Sequence, residues 1–304
     1  MVKKDKRKVC LSDRIFDIVN VCVMLLLFLI FTYPLYYVLI SSFSSPAAVW
    51  SGNVTLWPKD FTLIGYQELL GFSRIWTGYR NTIVYTLTGT LLNVFMTVLC
   101  AYPLSRKDWL PGGFFMRMCL FTMYFNGGLI PTYLVVKSLG LTNTWLAMII
   151  PTALSFYNAL IVRNYFMNSI PAELDEAAKL DGANTVQYLV HVVLPLSKPV
   201  LAVVTLYYAV SHWNDYYNAL VYIFDRDLQP LQSVLREVFA SVSVNTSDPQ
   251  SMSDINTDAL YLKAQLAQNL KFTSIIVSMI PMLMVYPFIQ KYFVKGAMIG
   301  AVKG

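Results

Sequence analysis

The feature that most limits what this chain can fold into is its set of apolar runs, each about as long as a bilayer is thick. A hydrocarbon core of about 30 Å takes roughly 20 apolar residues in helical form. Such runs recur at about 18–40, 81–102, 114–135, 145–166, 199–224 and 272–293. In lipid, backbone N–H and C=O groups must find partners within the protein, so a single run of this length reads as a helix. The expectation is an all-α, polytopic membrane protein with six transmembrane helices. Composition agrees, with 56% hydrophobic and 13% charged residues, where soluble domains carry about a quarter charged. The net charge of +6 is no sign of nucleic acid, because membrane proteins gather Lys and Arg on their cytoplasmic side.

Six crossings put both termini on one face. Of the 23 Lys and Arg residues, 15 lie in the N-terminal segment and in 103–117, 163–198 and 291–304, leaving 8 opposite. The excess marks the first group as cytoplasmic. The expected organisation is therefore a cytoplasmic segment 1–17 and a membrane domain 18–304, with a cytoplasmic loop 169–199 and a cytoplasmic tail 294–304. The basic start resembles a signal peptide, but the run after it is too long and no small-residue cleavage site follows cleanly. Cys10, Cys22, Cys100 and Cys119 lack metal-ligand spacing and read as small hydrophobes. No catalytic or metal set is expected, since the two histidines, His191 and His212, fall on different sides of the membrane. The sequence has no GxxxxGK[ST] run, so it does not cradle ATP in that manner.

Loop 169–199 is a polar interruption between apolar runs. Pro171 suits the first turn of a helix, and Glu173, Asp175 and Glu176 favour its positive end. Ala177, Ala178, Lys179 and Leu180 are good helix formers. Asp181, Gly182 and Ala183 follow, with Gly182 supplying a stop or bend. A second amphipathic piece, 185–194, ends in Leu194-Pro195. The reading is a short surface helix whose paired alanines let a partner's backbone approach closely.

The spacing Glu176-Ala177-Ala178, three residues, Gly182, nine residues, Val192-Val193-Leu194-Pro195 resembles the EAA loop of binding-protein-dependent ABC importer permeases. Where the family usually has isoleucine, this chain has Val192, a conservative departure. The runs 81–106 and 127–151 and the ending Val302-Lys303-Gly304 resemble the carbohydrate branch: the smaller membrane subunit of maltose-type importers and, more closely, complex-oligosaccharide permeases of Gram-positive bacteria. The resemblance implies a type I ABC importer permease fold in a bacterial plasma membrane. It implies a second, related permease, two ATPase subunits that carry ATP and Mg, and an extracytoplasmic sugar-binding protein, with no cofactor on this chain. In the family the EAA loop forms a coupling helix seated in a groove of the ATPase. Glu176 would then supply the charged contact, Ala177 and Ala178 the close fit and Gly182 the bend, while the tail 302–304 reaches toward the ATPase dimer.

Polar groups within an apolar run are costly and face a cavity or another helix. On the fifth run Tyr208, His212, Asp215, Tyr216 and Ala219 share one face at helical spacing, with Trp213 and Asn214 beside them. Asn126 and Asn158 fall near mid-depth of the third and fourth runs. Aromatic faces with amide and carboxylate groups suit a sugar, whose C–H faces stack and whose hydroxyls seek partners. Hydrogen bonds between spans explain the same residues equally well. The functional expectation is a carbohydrate permease working by alternating access. A permease for a non-sugar solute and an ion-coupled secondary transporter are the alternatives.

Overall fold

A computed structural model describes residues 11–106, 108–244 and 257–301, with side chains over 14–106, 108–240 and 262–287. Residues 1–10 of the N-terminal segment, and Val302, Lys303 and Gly304 of the tail, lie outside the described residues. Every regular element among the described residues is helical. In chain order these are α1 (Leu11–Ser42), α2 (Pro46–Trp50), α3 (Ile64–Gly71), α4 (Ser73–Ser105), α5 (Gly112–Tyr124) and α6 (Leu129–Ser138). After a single 3₁₀ turn at Trp145–Met148 come α7 (Phe156–Ser169), α8 (Ala172–Leu180), α9 (Thr185–Leu196) and α10 (Lys198–Trp213). Then follow α11 (Tyr217–Tyr222), a 3₁₀ turn at Arg226–Leu228, α12 (Leu231–Val244) and α13 (Thr257–Ala301).

The chain divides into two compact units. The first comprises Met1–Gly71 and Phe239–Val277. The apolar length of α1 is uncovered by the other described residues, so the helix rests on its own backbone bonds and on whatever surrounds it. At the end of α1 the backbone turns, and Ser45 caps α2 by accepting from Ala48 N–H at 3.3 Å, with Pro46 in the first helical position. Ile40, Ala48, Val49 and Val54 form a small core against which Tyr37 and Phe272 pack edge to face. Asn269 donates its amide to the carbonyl of Ser41 at 3.2 Å, which also accepts from Ser44 N–H, and to that of Ser44 at 2.9 Å, so one side chain ties the end of α1 and the turn after it to α13. Gly65 is required here, because a Cβ at that position would lie 2.1 Å from Asn269 Oδ1.

The second unit comprises Phe72–Val238 and Ser278–Gly304. Here α4 packs against α7 and α10. One core gathers Ala101, Tyr102, Val162, Phe166, Val193, Val200, Val204 and Tyr208, and another gathers Tyr85, Val136, Met148, Ala219 and Tyr222. Gly89 lets α4 and α10 close up; a Cβ there would come within 2.5 Å of the His212 ring. Near the start of α4, Arg74 forms a two-point pair with Glu237 at 2.8 and 2.9 Å, and Asn81 donates to the carbonyls of Asp227 and Gln229. These bonds fasten the segment after α11 to α4.

The run lengths anticipated most of the helices but not all their ends. Among the described residues, three helices are long and apolar enough to cross a membrane, or five if each bent pair counts as one crossing, against the six expected. The expected span 145–166 is instead a 3₁₀ turn, an irregular stretch and the 14-residue α7, because Pro151 has no N–H for a helical ladder. The third run is broken by 114° between α5 and α6, at Gly128 with its φ of +87°, the place where its paired glycines and Pro131 lead one to expect a break. The fifth run is helical only to Trp213 and resumes at Tyr217. In the other direction, α4 begins at Ser73, well before Asn81, and runs through Pro103 to Ser105.

Candidate functional site

Two polar regions stand out in the second unit. The first is the segment around α8. Pro171 is extended (φ −61°, ψ 139°) and starts the helix, with Glu173 and Asp175 in the first turn. The far end is a Schellman cap: Ala183 N–H bonds to Ala178 C=O at 2.9 Å and Gly182 N–H to Lys179 C=O at 3.1 Å. Gly182 takes a φ of +75° with nothing within 4 Å of where a Cβ would be, so its role is conformational and not steric. Asn184 and Gln187 then form a reciprocal capping box at 2.8 and 2.9 Å that begins α9. Pro195 has no N–H to return to His191, and the turn Leu189–Val193 before it widens to π geometry. An 81° bend then separates α9 from α10.

α8 has two faces. Inward, Asp175 accepts from Arg106 Nη1 at 2.6 Å and pairs with Lys179 at 2.9 Å. Arg106, just beyond the end of α4, also grips Asp108 through Nε and Nη2 at 3.0 and 2.9 Å. The Arg106 hydrogen bond draws the Asp108 carboxyl down from 3.8 to about 2. Burial pushes the Asp175 carboxyl up, but hydrogen bonds from Lys179 and Arg106 outweigh it and hold it below the ordinary value. A cleft of about 340 Å³ lies beside this network, walled by Tyr102, Phe166 and Asp175 among others. Outward, Glu173, Glu176, Ala177, Asp181 and Gly182 are exposed, and Leu180 is 90% exposed. Ala178 turns partly inward against the core, as does Ala183, while Leu194 is half-buried and Pro195 exposed. The alanine pair is therefore split between the two faces.

The second region is a cavity of about 440 Å³ between α4, the 151–155 stretch, α7, α10 and the turn after it. Asn158, Tyr208, His212 and Asp215 from the expected set all line it. Behind them His212 Nε2 meets Asn93 Oδ1 at 2.7 Å, and Asn93 donates its amide to Thr152 C=O. Tyr208 OH bonds Thr97 at 2.7 Å and accepts from Ser155 N–H at 3.2 Å. The expected shared face on the fifth run does not form, since α10 ends at Trp213 and the chain turns. Asp215 caps α11 instead, accepting from Asn218 N–H at 3.1 Å and from its amide at 2.7 Å. Other expected residues lie elsewhere. Asn126 sits in the break between α5 and α6 and accepts from Gly128 N–H at 2.9 Å. Trp213 is buried and donates to Ser278 C=O at 3.0 Å, Asn214 donates back to Val210 C=O at 2.9 Å, and Tyr216 lies under the Arg236 guanidinium at 5.5 Å. Sequence reasoning missed Arg106, Asp108, Asn93 and Asn218. Only Arg106 and Asp108 carried a signal, as charges placed directly at the end of a span.

Apolar helices around a polar cavity, with a capped acidic helix held beyond the end of one of them, define a membrane transport subunit. Residues 75–299 match the family of binding-protein-dependent transport system inner membrane components. The polygalacturonan/rhamnogalacturonan transport system permease protein YtcP of Bacillus subtilis (strain 168) is 38% identical over 97% of this chain and 100% of its own length. Protein LplC of the same organism is 37% identical over 96% of each chain. Among solved structures, a bacterial ABC transporter involved in the import of the acidic polysaccharide alginate aligns with a TM-score of 0.81 at 36% identity, covering 95% of this chain and 100% of that one. The chain belongs to the binding-protein-dependent transport system inner membrane component family.

Proposed function

We propose that this chain is a permease subunit of an ATP-driven ABC importer that takes up a carbohydrate, most simply an oligosaccharide, by alternating access. The observation that carries the proposal is the two-faced α8: begun after Pro171, capped at its far end, ion-paired inward to the end of α4, and bare outward through Glu173, Glu176, Ala177 and Leu180. A helix so presented has the form of a coupling helix. The names of the relatives, which concern polygalacturonan, rhamnogalacturonan and alginate, support the carbohydrate class.

The working complex on this reading contains a second permease, two ATPase subunits that bind ATP and Mg, and an extracytoplasmic sugar-binding protein. The chain itself catalyses nothing and binds no metal or cofactor. It crosses the plasma membrane with both termini cytoplasmic, and its tail, Val302-Lys303-Gly304, approaches the ATPase pair. Closing of the ATPase subunits on ATP draws the coupling helices together. Through Arg106 that displacement passes from α8 to α4, which lines the cavity, and turns the path from inward-facing to outward-facing. The loaded sugar-binding protein then delivers its ligand.

The test is sugar-stimulated ATP hydrolysis by the reconstituted complex. Glu176→Lys and Gly182→Val are expected to lower it at least tenfold while the permease still reaches the membrane. Unchanged stimulation in both variants would refute the assignment of α8.

A further inference from the structure

Leu110 and Leu180 are the two most exposed large apolar side chains among the described residues, at 97% and 90%. Leu180 ends α8, and Leu110 stands at the tip of the turn between α4 and α5. Both fall in segments that the distribution of Lys and Arg assigns to the cytoplasm. The turn has a fixed shape. Gly112 N–H donates to Trp109 C=O at 3.0 Å, and the Trp109 ring stacks on Phe115 of α5 with centroids 5.3 Å apart. With Trp109 turned in, Leu110 is held out. The two leucines also stand on neighbouring segments. Lys179, the residue before Leu180, reaches Asp108 at 3.9 Å, close before Leu110 in the chain. Arg106 binds Asp108 and Asp175 at once, so one guanidinium clasps the turn to α8.

Charge decides whether lipid or protein covers Leu110. Arg106, Asp108, Asp175 and Lys179 gather at the base of the turn. The Arg106 bond draws the Asp108 carboxyl down to about 2, so it is charged at neutral pH, and hydrocarbon does not readily admit such a cluster. Trp109, the side chain best suited to the headgroup layer, is spent on Phe115. The outer face of α8, by contrast, continues into the turn through Lys179 and Asp108. We propose that the turn at Leu110 is a second docking element of this chain, seated beside α8 in an apolar recess of the same ATPase subunit. The inference rests on the permease reading. A single helix in a groove can pivot, and a second contact fixes its angle. Because the turn directly follows α4, the ATPase then acts on α4 by two routes, through Arg106 and through the chain itself.

Two single-cysteine permeases test this, Leu110→Cys and Ala177→Cys, each freed of the native cysteines and placed in nanodiscs with the second permease. Leu110→Cys should react readily with a charged maleimide in the permease pair alone, and at least tenfold more slowly once the ATPase subunits are bound. Slow reaction already in the permease pair would give the side chain to lipid or to the second permease and overturn the proposal. Protection at Ala177→Cys without protection at Leu110→Cys would overturn it too, while leaving the α8 reading intact. Protection at neither site would sink both. In a second measurement, ATPase is titrated into the permease pair and stimulated hydrolysis is followed. Leu110→Ser should raise the half-saturating ATPase concentration about tenfold, the effect of leaving one leucine unburied, and Leu110→Met should stay within about threefold of the unaltered chain. No change in Leu110→Ser would contradict the proposal. So would failure of that variant to reach the membrane, which would give so exposed a side chain a folding role instead.

Discussion

The segment around α8 and the central cavity are both polar parts of one compact unit, yet they are held in opposite ways. The α8 segment is local: two caps, one left-handed glycine and a cluster of ion pairs fix its shape, and its outer face is exposed among the described residues. The cavity is non-local: its walls come from α4, α7, α10 and an irregular stretch, fixed by uncharged hydrogen bonds and by close helix approach at Gly89. A part that must dock elsewhere and move as a body can be specified by its own sequence. A part that must enclose something has to be specified by its neighbours. The first therefore tolerates bulk but not a change of backbone conformation, and the second the reverse.

Substitution of the two glycines should break that contrast most visibly. Gly89→Asn forces a Cβ into the His212 ring, and overpacking of this kind typically costs about 1–3 kcal/mol. Thermal unfolding of the purified complex should show a clear drop in midpoint. Gly182→Asn should be close to neutral in the same assay, since Asn tolerates a positive φ and has open space around it. Equal damage at the two positions would erase the distinction.

Next in size is the tie between the regions. Arg106→Ala leaves Asp175 with Lys179 alone, and the side chains of the broken pair are 19% and 25% exposed. An intermediate cost of about 1–2 kcal/mol follows, between exposed and buried pairs. Coupling should suffer more than stability, with stimulated ATP hydrolysis and uptake no longer in fixed ratio. A parallel fall in both would make Arg106 merely structural. Smaller again, Asn184→Ala removes the box that starts α9 and should cost about 1 kcal/mol, read as a lower thermal unfolding midpoint of the purified complex.

The smallest effect is one of pH. Asp108 and Asp175 are held below the ordinary carboxyl value of 3.8, Asp108 at about 2. A depressed folded value adds stability at every pH above the unfolded one and loses it only as pH falls through the folded one. The α8 tie should therefore be constant from about pH 8 to pH 5 and weaken toward pH 2. The difference in thermal unfolding midpoint between the unaltered complex and Arg106→Ala, followed from about pH 8 down to the lowest pH at which the complex stays assembled, checks this. A transition near pH 6 would assign the tie to another group.

How much of this was legible in the sequence follows from the same contrast. Pro171, the first-turn acids, Gly182 and Leu194-Pro195 could be read in order because each acts within a few residues of itself, and the structure starts α8 after Pro171, caps it at Gly182 and bends after Pro195. Asp175 was legible only as a first-turn acid of the coupling loop; its partner Arg106 is distant in sequence and pulls it inward. For the cavity, residue types were visible but geometry was not. Uninterrupted helical spacing put Asp215 on one face with Tyr208 and Tyr216; the backbone breaks at Asn214 and Asp215 becomes a cap. Asn93 gave no signal, because a buried asparagine on a long apolar helix looks the same whether or not it braces a histidine.

The central claim is that the outer face of α8 docks on a nucleotide-hydrolysing subunit inside the cell. Placing a cysteine at Ala177 in a background freed of the four native ones, and labelling with a membrane-impermeant maleimide, tests it directly. The account predicts modification only from the cytoplasmic side in the permease alone, and at least tenfold protection once the ATPase subunits are bound. Labelling from the outside, or labelling indifferent to the ATPase, would contradict it.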